Sequence, residues 1–263
     1  MSSYTSEEYE DKGLGLLRAG RPAEALAAFE EGERRFPGDA DLLMGTAMAR
    51  RDLGDAEGAR VVLEGLRRTR TAGGEVGLAL VETYLDLGRM PEALEAARES
   101  AGRGTDAPQL NRLARAFYSR RFYREAFPLY ERAAEAAPEW SEAWFGLGAC
   151  QWALRQPAAA EAALRRAVEL APEDWQARQF LGCVLCDQGR RVEAKAMLES
   201  VPLDASWQKP ALERLVALSW WPSDAERSRA LEVLWRRVVG GAPPVGALEA
   251  LAEASRKMEE TPR

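Results

Sequence analysis

A chain of 263 residues with 46% hydrophobic and 30% charged residues has the balance of a folded protein able to bury a core, not of a disordered one. Its formal charge of −6 has the wrong sign for a general nucleic-acid binder, whose affinity comes from neutralising phosphates. The absence of histidine removes the commonest general base and the commonest metal ligand together.

The chain opens on MSSYTSEEYEDKG, polar and acidic, with neither a basic start nor an apolar run. No stretch approaches the ~18 uninterrupted apolar residues of a membrane span, and no cysteine for lipid attachment lies near the N-terminus. These features lead us to expect a cytoplasmic protein without membrane insertion. The preference for arginine over lysine, with abundant alanine and glycine, points to a GC-rich bacterial genome.

From Ser6 onward the sequence repeats. Alanine recurs at Ala25, Ala59, Ala93, Ala126, Ala160 and Ala194, at intervals of 33 or 34 residues. About 34 residues at ~1.5 Å rise are too many for one ordinary helix and show no strand-like alternation, so each interval holds two helices. A second row, Gly20, Gly54, Gly88 and Gly189, precedes the alanines, where a left-handed residue ends one helix and turns the chain into the next. Arg121 and Arg155 occupy that row in the middle repeats, so their turns either bear strain or use another geometry. A third row of mostly small residues, Gly13, Ala47, Val81, Ala114, Gly148 and Gly182, sits mid-way along each first helix and allows close helix approach. Pro37, Pro138 and Pro172 stop second helices at matching places.

The best-formed unit is AWFGLGACQWALRQPAAAEAALRRAVELAPED, Ala143 to Asp174. Its tryptophan, leucine-glycine pair, alanines and closing proline stand where the tetratricopeptide repeat has them, and the chain resembles that family. Units begin near 6, 40, 74, 107, 141 and 175, so the resemblance covers residues 6–208. It is sharpest in the first, fourth and fifth units and degenerate in the second and third. The resemblance implies an all-α fold, a right-handed helical solenoid of about six helix pairs, read as one continuous elongated domain. Residues 1–5 and 259–263 are expected to be flexible ends.

Beyond Trp207 the period fades while helical signals persist: KPALERLVALSW, SDAERSRALEVLWRRVV and PPVGALEALAEASRKM. We read 209–258 as a degenerate seventh helix pair and a capping helix. Trp207, Trp220, Trp221 and Trp235 make this region rich in tryptophan, suited to core packing or to a partner surface.

Catalytic motifs are absent: no nucleophile elbow, phosphate loop or dinucleotide fingerprint stands in the sequence. Cys150, Cys183 and Cys186 are the only other chemical candidates. A redox CxxC acquires its acidic thiol at a helix start, whereas Cys183 and Cys186 fall inside a helix, and a zinc site here lacks a fourth ligand other than Asp187. Small buried residues are the plainer reading. No cofactor, metal or enzymatic activity is expected.

The resemblance places partner binding on the inner stripe of the first helices. On this sequence that stripe is Leu78, Glu82 and Leu85, then Asn111, Arg115 and Tyr118, then Phe145, Ala149 and Trp152, then Gln179, Cys183 and Cys186. Phe145, Ala149 and Trp152 share one helix face at i, i+4 and i+7, which makes the two aromatics candidate anchors; packing between units is the alternative. Arg112, Arg115, Arg120, Arg121 and Arg124 form the densest basic cluster, either a solvated face or an anion contact. The lysine, arginine and asparagine clamp of chaperone-binding family members is missing from the first three units, which offer Glu10 and Leu14, Met44 and Met48, then Leu78 and Glu82. The expected function is an adaptor that binds a partner's peptide or amphipathic helix, apolar with an acidic flank, in its groove. Alternatives are a structural subunit docking through its C-terminal helices and a cytoplasmic chaperone for a secreted or assembled partner; self-association stays open.

Overall fold

The computed structural model describes residues 5–69, 74–102, 104–202 and 208–218, which form thirteen helices and no strand. In chain order these are α1 (Ser6–Arg18), α2 (Pro22–Arg35), α3 (Ala40–Asp52), α4 (Ala56–Arg68), α5 (Gly74–Asp86), α6 (Met90–Ser100) and α7 (Ala107–Ser119). They continue as α8 (Tyr123–Ala136), α9 (Ser141–Ala153), α10 (Pro157–Leu170), α11 (Trp175–Asp187), α12 (Arg191–Glu199) and α13 (Lys209–Leu218). The two helical segments read from sequence beyond α13, with Trp207, Trp220, Trp221 and Trp235, lie outside the described residues.

The residues group into two compact units divided after Leu129, inside α8. Pro128 sits inside that helix immediately before the division, where it removes an N–H from the helical ladder. In the first unit α1 packs on α2, α3 on α4 and α5 on α6, while each first helix also touches the next, α1 to α3 to α5 to α7. In the second, α9 packs on α10 and α11 on α12, α9 touches α11, and α13 lies against both α11 and α12.

Helix starts follow from short polar caps. Thr5 and Glu8 form a reciprocal capping box, the Glu8 N–H donating to the Thr5 hydroxyl at 3.3 Å and the Thr5 N–H to the Glu8 carboxylate at 2.7 Å. Asp39, Asp55, Asp106 and Asp174 cap α3, α4, α7 and α11. Prolines two residues beyond α2, α8 and α10 prevent their continuation.

Close approach comes from small residues. All six alanines of the repeat row are fully buried. The Phe29 ring, itself at 0% exposure, lies between α1 and α3, and a Cβ on either Gly13 or Gly45 would come within 2.3 Å of it. The second unit repeats the device: Leu164 seats against Gly148 and Leu198 against Gly182. Large residues from second helices thus fill hollows left by glycine on first helices.

The turn inside each pair has one geometry throughout. After α1, the Gly20 N–H donates to the Leu17 carbonyl at 2.9 Å and the Arg21 N–H to Leu16 at 3.0 Å, the paired bonds of a Schellman turn. The same two bonds follow α7, from Arg121 to Tyr118 and Phe122 to Phe117, and α9, from Arg155 to Trp152 and Gln156 to Gln151. Arg121 and Arg155 therefore adopt φ of 65° and 63°, beside 69–82° at the glycines of this row. The arginines accept strain and keep the turn.

Glycine at either position releases that strain, and the added entropy of the unfolded chain cancels only part of the gain. Arg121→Gly and Arg155→Gly should each raise stability by about 0.5–1 kcal/mol, whereas Gly54→Ala should lower it by about 1 kcal/mol. Urea midpoints of the three variants check the signs.

Candidate functional site

Across the first unit, the inner stripe runs over α1, α3, α5 and α7. Its C-terminal edge is an ion-pair ladder: Arg51 pairs with Glu82 and, at 3.6 Å, with Asp86, and Asp86 in turn receives Arg120 at 2.5 Å. Three consecutive repeats are tied by these contacts, each worth a few tenths of a kcal/mol at half-exposed positions. Glu82 is thus occupied by its own chain. Leu78 is half-buried beside it, while Leu85 is buried.

On α7 the stripe is less satisfied. Asn111 is only 7% exposed, yet its side-chain oxygen has no hydrogen-bond donor among the described residues. Leaving such an acceptor unpaired costs about 1–3 kcal/mol. One turn on, Arg115 is exposed and makes no ion pair among the described residues. Tyr118 follows half-buried, its ring edge-on to Tyr123 at 5.2 Å. The basic cluster divides accordingly: Arg112 pairs with Glu75 at 2.6 Å, Arg120 with Asp86, Arg121 forms the strained turn, and Arg115 points its charge to solvent.

In the second unit the stripe is largely consumed by packing, a correction to its reading as an exposed surface. Ala149, Gln179 and Cys183 are buried at 3%, 0% and 3% exposure, as Asn111 is in the first unit. The Gln179 side-chain oxygen accepts the Gln208 N–H at 2.6 Å, tying α11 to the start of α13. Cys183 belongs to a core with Leu198, Val201, Ala211 and Leu215. Phe145 and Trp152 both set ring edges against Phe180, at 5.1 and 5.5 Å. The Trp152 indole N–H donates to Asp187 at 2.8 Å, Arg214 binds the other oxygen of Asp187 at 2.8 Å, and its guanidinium lies 5.6 Å over the Trp152 ring. Packing between neighbouring repeats, the alternative for these aromatics, is how both rings are used within the second unit. Sequence reasoning missed Phe180, Asp187 and Arg214 as their partners. The recoverable signal is spacing, since Phe180 follows Phe145 and Asp187 follows Trp152 by 35 residues, one position beyond a repeat.

Burial pushes the Cys150 and Cys183 thiols up to about 12 and the Cys186 thiol up to about 11. All three stay protonated near neutrality, unlike a redox CxxC. Among the described residues no three cysteine, aspartate or glutamate side chains gather to hold a metal ion, and no helix is long and apolar enough to cross a membrane.

Two family models described as tetratricopeptide repeat match the chain, one at residues 10–74 and 111–174, the other at 152–218. Among curated proteins none matches. Solved structures with a similar fold include a tetratricopeptide repeat protein from Parabacteroides merdae, 13% identical over 95% of this chain and 98% of that one, with a TM-score of 0.62. Pseudomonas aeruginosa pilF is 18% identical over 81% and 97%, with a TM-score of 0.60. The APC/C hetero-tetramer Cut9-Hcn1 contains a chain 18% identical over 82% of this protein, with a TM-score of 0.56. Our chain spans only 43% of that last one.

Trp152→Ala should therefore destabilise the protein by about 2–4 kcal/mol, against the unchanged melting expected of a groove anchor. Thermal unfolding followed by circular dichroism decides between them. Iodoacetamide at pH 7.5 should modify all three cysteines far more slowly than the same thiols in the urea-unfolded chain, as read by mass spectrometry.

Proposed function

The chain belongs to the tetratricopeptide repeat family, and from that premise we propose that it is a non-enzymatic adaptor whose first unit holds a segment of a partner protein along α5 and α7. The repeat fold is a protein-interaction scaffold; the choice of face comes from this chain's own residues. The observation that carries it is α7, where Arg115, exposed and without an ion pair among the described residues, stands one turn from the half-exposed ring of Tyr118, above the buried Asn111. A carboxylate suits Arg115, and an apolar side chain suits Tyr118 and Leu78. The partner is thus an apolar peptide or amphipathic helix carrying an acidic group.

This reading moves the anchors from Phe145 and Trp152, with Ala149, Gln179 and Cys183, to the first unit. Those five residues support repeat-to-repeat packing instead.

Panning a random peptide library on the full chain, then measuring the enriched peptides by fluorescence anisotropy, tests the reading. Arg115→Ala and Tyr118→Ala should each weaken binding about tenfold, the ~1.4 kcal/mol expected of a desolvated anchor. Val192→Ser, at the most exposed apolar side chain of α12, should leave it unchanged. Equal binding by wild type and both first-unit variants would overturn the assignment.

A further inference from the structure

One position of the first helices is uncharged in five successive repeats: Tyr9 on α1, Leu43 on α3, Gly77 on α5, Leu110 on α7 and Trp144 on α9. The sixth repeat puts Arg178 there, 34 residues after Trp144. An aromatic or aliphatic side chain at this place adds apolar burial, whereas a guanidinium has to stay solvated or find a counter-charge. Arg178 also stands in the first turn of α11, where the helix dipole opposes a cation.

The chain holds this guanidinium without neutralising it. Its Nη1 donates to the Ser200 hydroxyl at 3.0 Å, and that hydroxyl donates in turn to the Met197 carbonyl at 2.6 Å. The guanidinium carbon lies 5.0 Å from the centre of the Trp175 ring. Its Nε is buried with no acceptor among the described residues, none of which brings a carboxylate to ion-pair distance. The carboxylates around it are already committed. Glu161 and Glu193 form a closed quartet with Arg165 and Arg190 at 2.5 to 3.3 Å, Asp174 caps α11, and Glu199 meets Lys195 at 3.7 Å. Arg178 is therefore a fixed and partly desolvated cation, unlike an arginine in open solvent.

Beside it a groove of about 410 Å³ opens between α10 and α12 over α11, within the size range of ligand sites. Val168, Leu185 and Met197 line it with apolar surface, and Arg165 and Arg178 with positive charge. Since the quartet is neutral as a whole, the charge of Arg178 is left over. The corresponding groove over α5 in the first unit has Gly77 in place of Arg178, and its two charged side chains, Arg67 and Glu99, pair at 3.4 Å. A concave apolar surface with one uncompensated guanidinium selects an anion carried on an apolar group.

We propose that this groove is a second docking site, for a partner segment in which an aspartate or glutamate neighbours an apolar side chain. The carboxylate meets the Nη2 edge of Arg178, which is free among the described residues, and the apolar side chain lies among Val168, Leu185 and Met197. A carboxylate outcompetes a hydroxyl or amide because its bonds to a guanidinium are charge-assisted and match its fork. A protein segment suits a chain whose repeats are an interaction scaffold. The assignment does not depend on α5 or α7.

The test pans a random peptide library on a full-length Arg115→Ala, Tyr118→Ala chain, which lacks the first-unit contacts, and measures the enriched peptides by fluorescence anisotropy. Peptides with an acidic residue beside an apolar one should be enriched. Arg178→Leu, which installs the side chain of Leu43 and Leu110, should weaken them about tenfold or more and leave the urea midpoint equal or higher. Ala196→Glu, at an exposed position lining the same groove, adds a competing carboxylate and should weaken them comparably without touching Arg178. A benzophenone beside the acidic residue should crosslink to α10, α11 or α12. Peptides that bind both variants as they bind the parent chain, or enrichment of none with an acidic residue, would overturn the proposal and leave the first-unit reading untouched. A lower urea midpoint of Arg178→Leu with no change in peptide binding would give the arginine a purely structural role, with the same consequence. Enrichment of sequences matching residues 219–263 would make this chain's own tail the occupant and overturn it as well.

Discussion

Everything in this molecule depends on how closely a second helix can approach the first helix beside it. An alanine at 0% exposure in each repeat, and glycines where Phe29, Leu164 and Leu198 lie against them, set that distance. Close packing of this kind concentrates dispersion and apolar burial where each helix pair meets, so a repeat is stable only against its neighbours. Adding one methyl at Gly13 or Gly45 would drive into a phenylalanine with nowhere to go. The sequence rows repeat because this geometric condition repeats.

Turn geometry is the second condition, and the chain meets it even at a cost. A pair of helices reverses through one left-handed residue, and the hydrogen-bond pattern is the same whether that residue is Gly20 or Arg155. Had strain dictated the outcome, the turns after α7 and α9 would differ from the others. They do not, because two backbone bonds and the packing of both flanking helices outweigh roughly 1–2 kcal/mol of left-handed strain. Local preference yields to stacking, as expected when stability resides mainly in contacts between elements.

This hierarchy explains what could and could not be read in advance. Helix pairing, turn positions and helix caps follow from local residue rows, and α13 begins at Lys209, one further period beyond Trp175. The inner stripe was harder, because an i, i+4, i+7 row of aromatics looks identical whether it meets solvent or the next repeat. Phe145 and Trp152 meet Phe180, one repeat on, and only the three-dimensional stacking of α9 and α11 brings these rings together. Arg214 was hidden differently: it lies past the clear repeats, and its pairing with Asp187 crosses 27 residues. The unpaired state of Asn111 is likewise invisible in sequence, since an asparagine carries no mark of its missing donor.

The two units spend similar residue positions on different ends. In the second, polar groups on the inner stripe are satisfied within the chain: Gln179 by the Gln208 backbone, Trp152 by Asp187, and Asp187 by Arg214. These contacts tie neighbouring repeats together along the stripe. In the first, among the described residues, the Asn111 side-chain oxygen has no donor and Arg115 no ion pair, and the carboxylates around Glu10 repel one another. Such groups weaken the free protein, because a buried acceptor without a donor and clustered like charges both oppose folding. Hydrogen bonds made within the chain therefore mark the second unit's stripe as a packing face more clearly than its aromatic rings do.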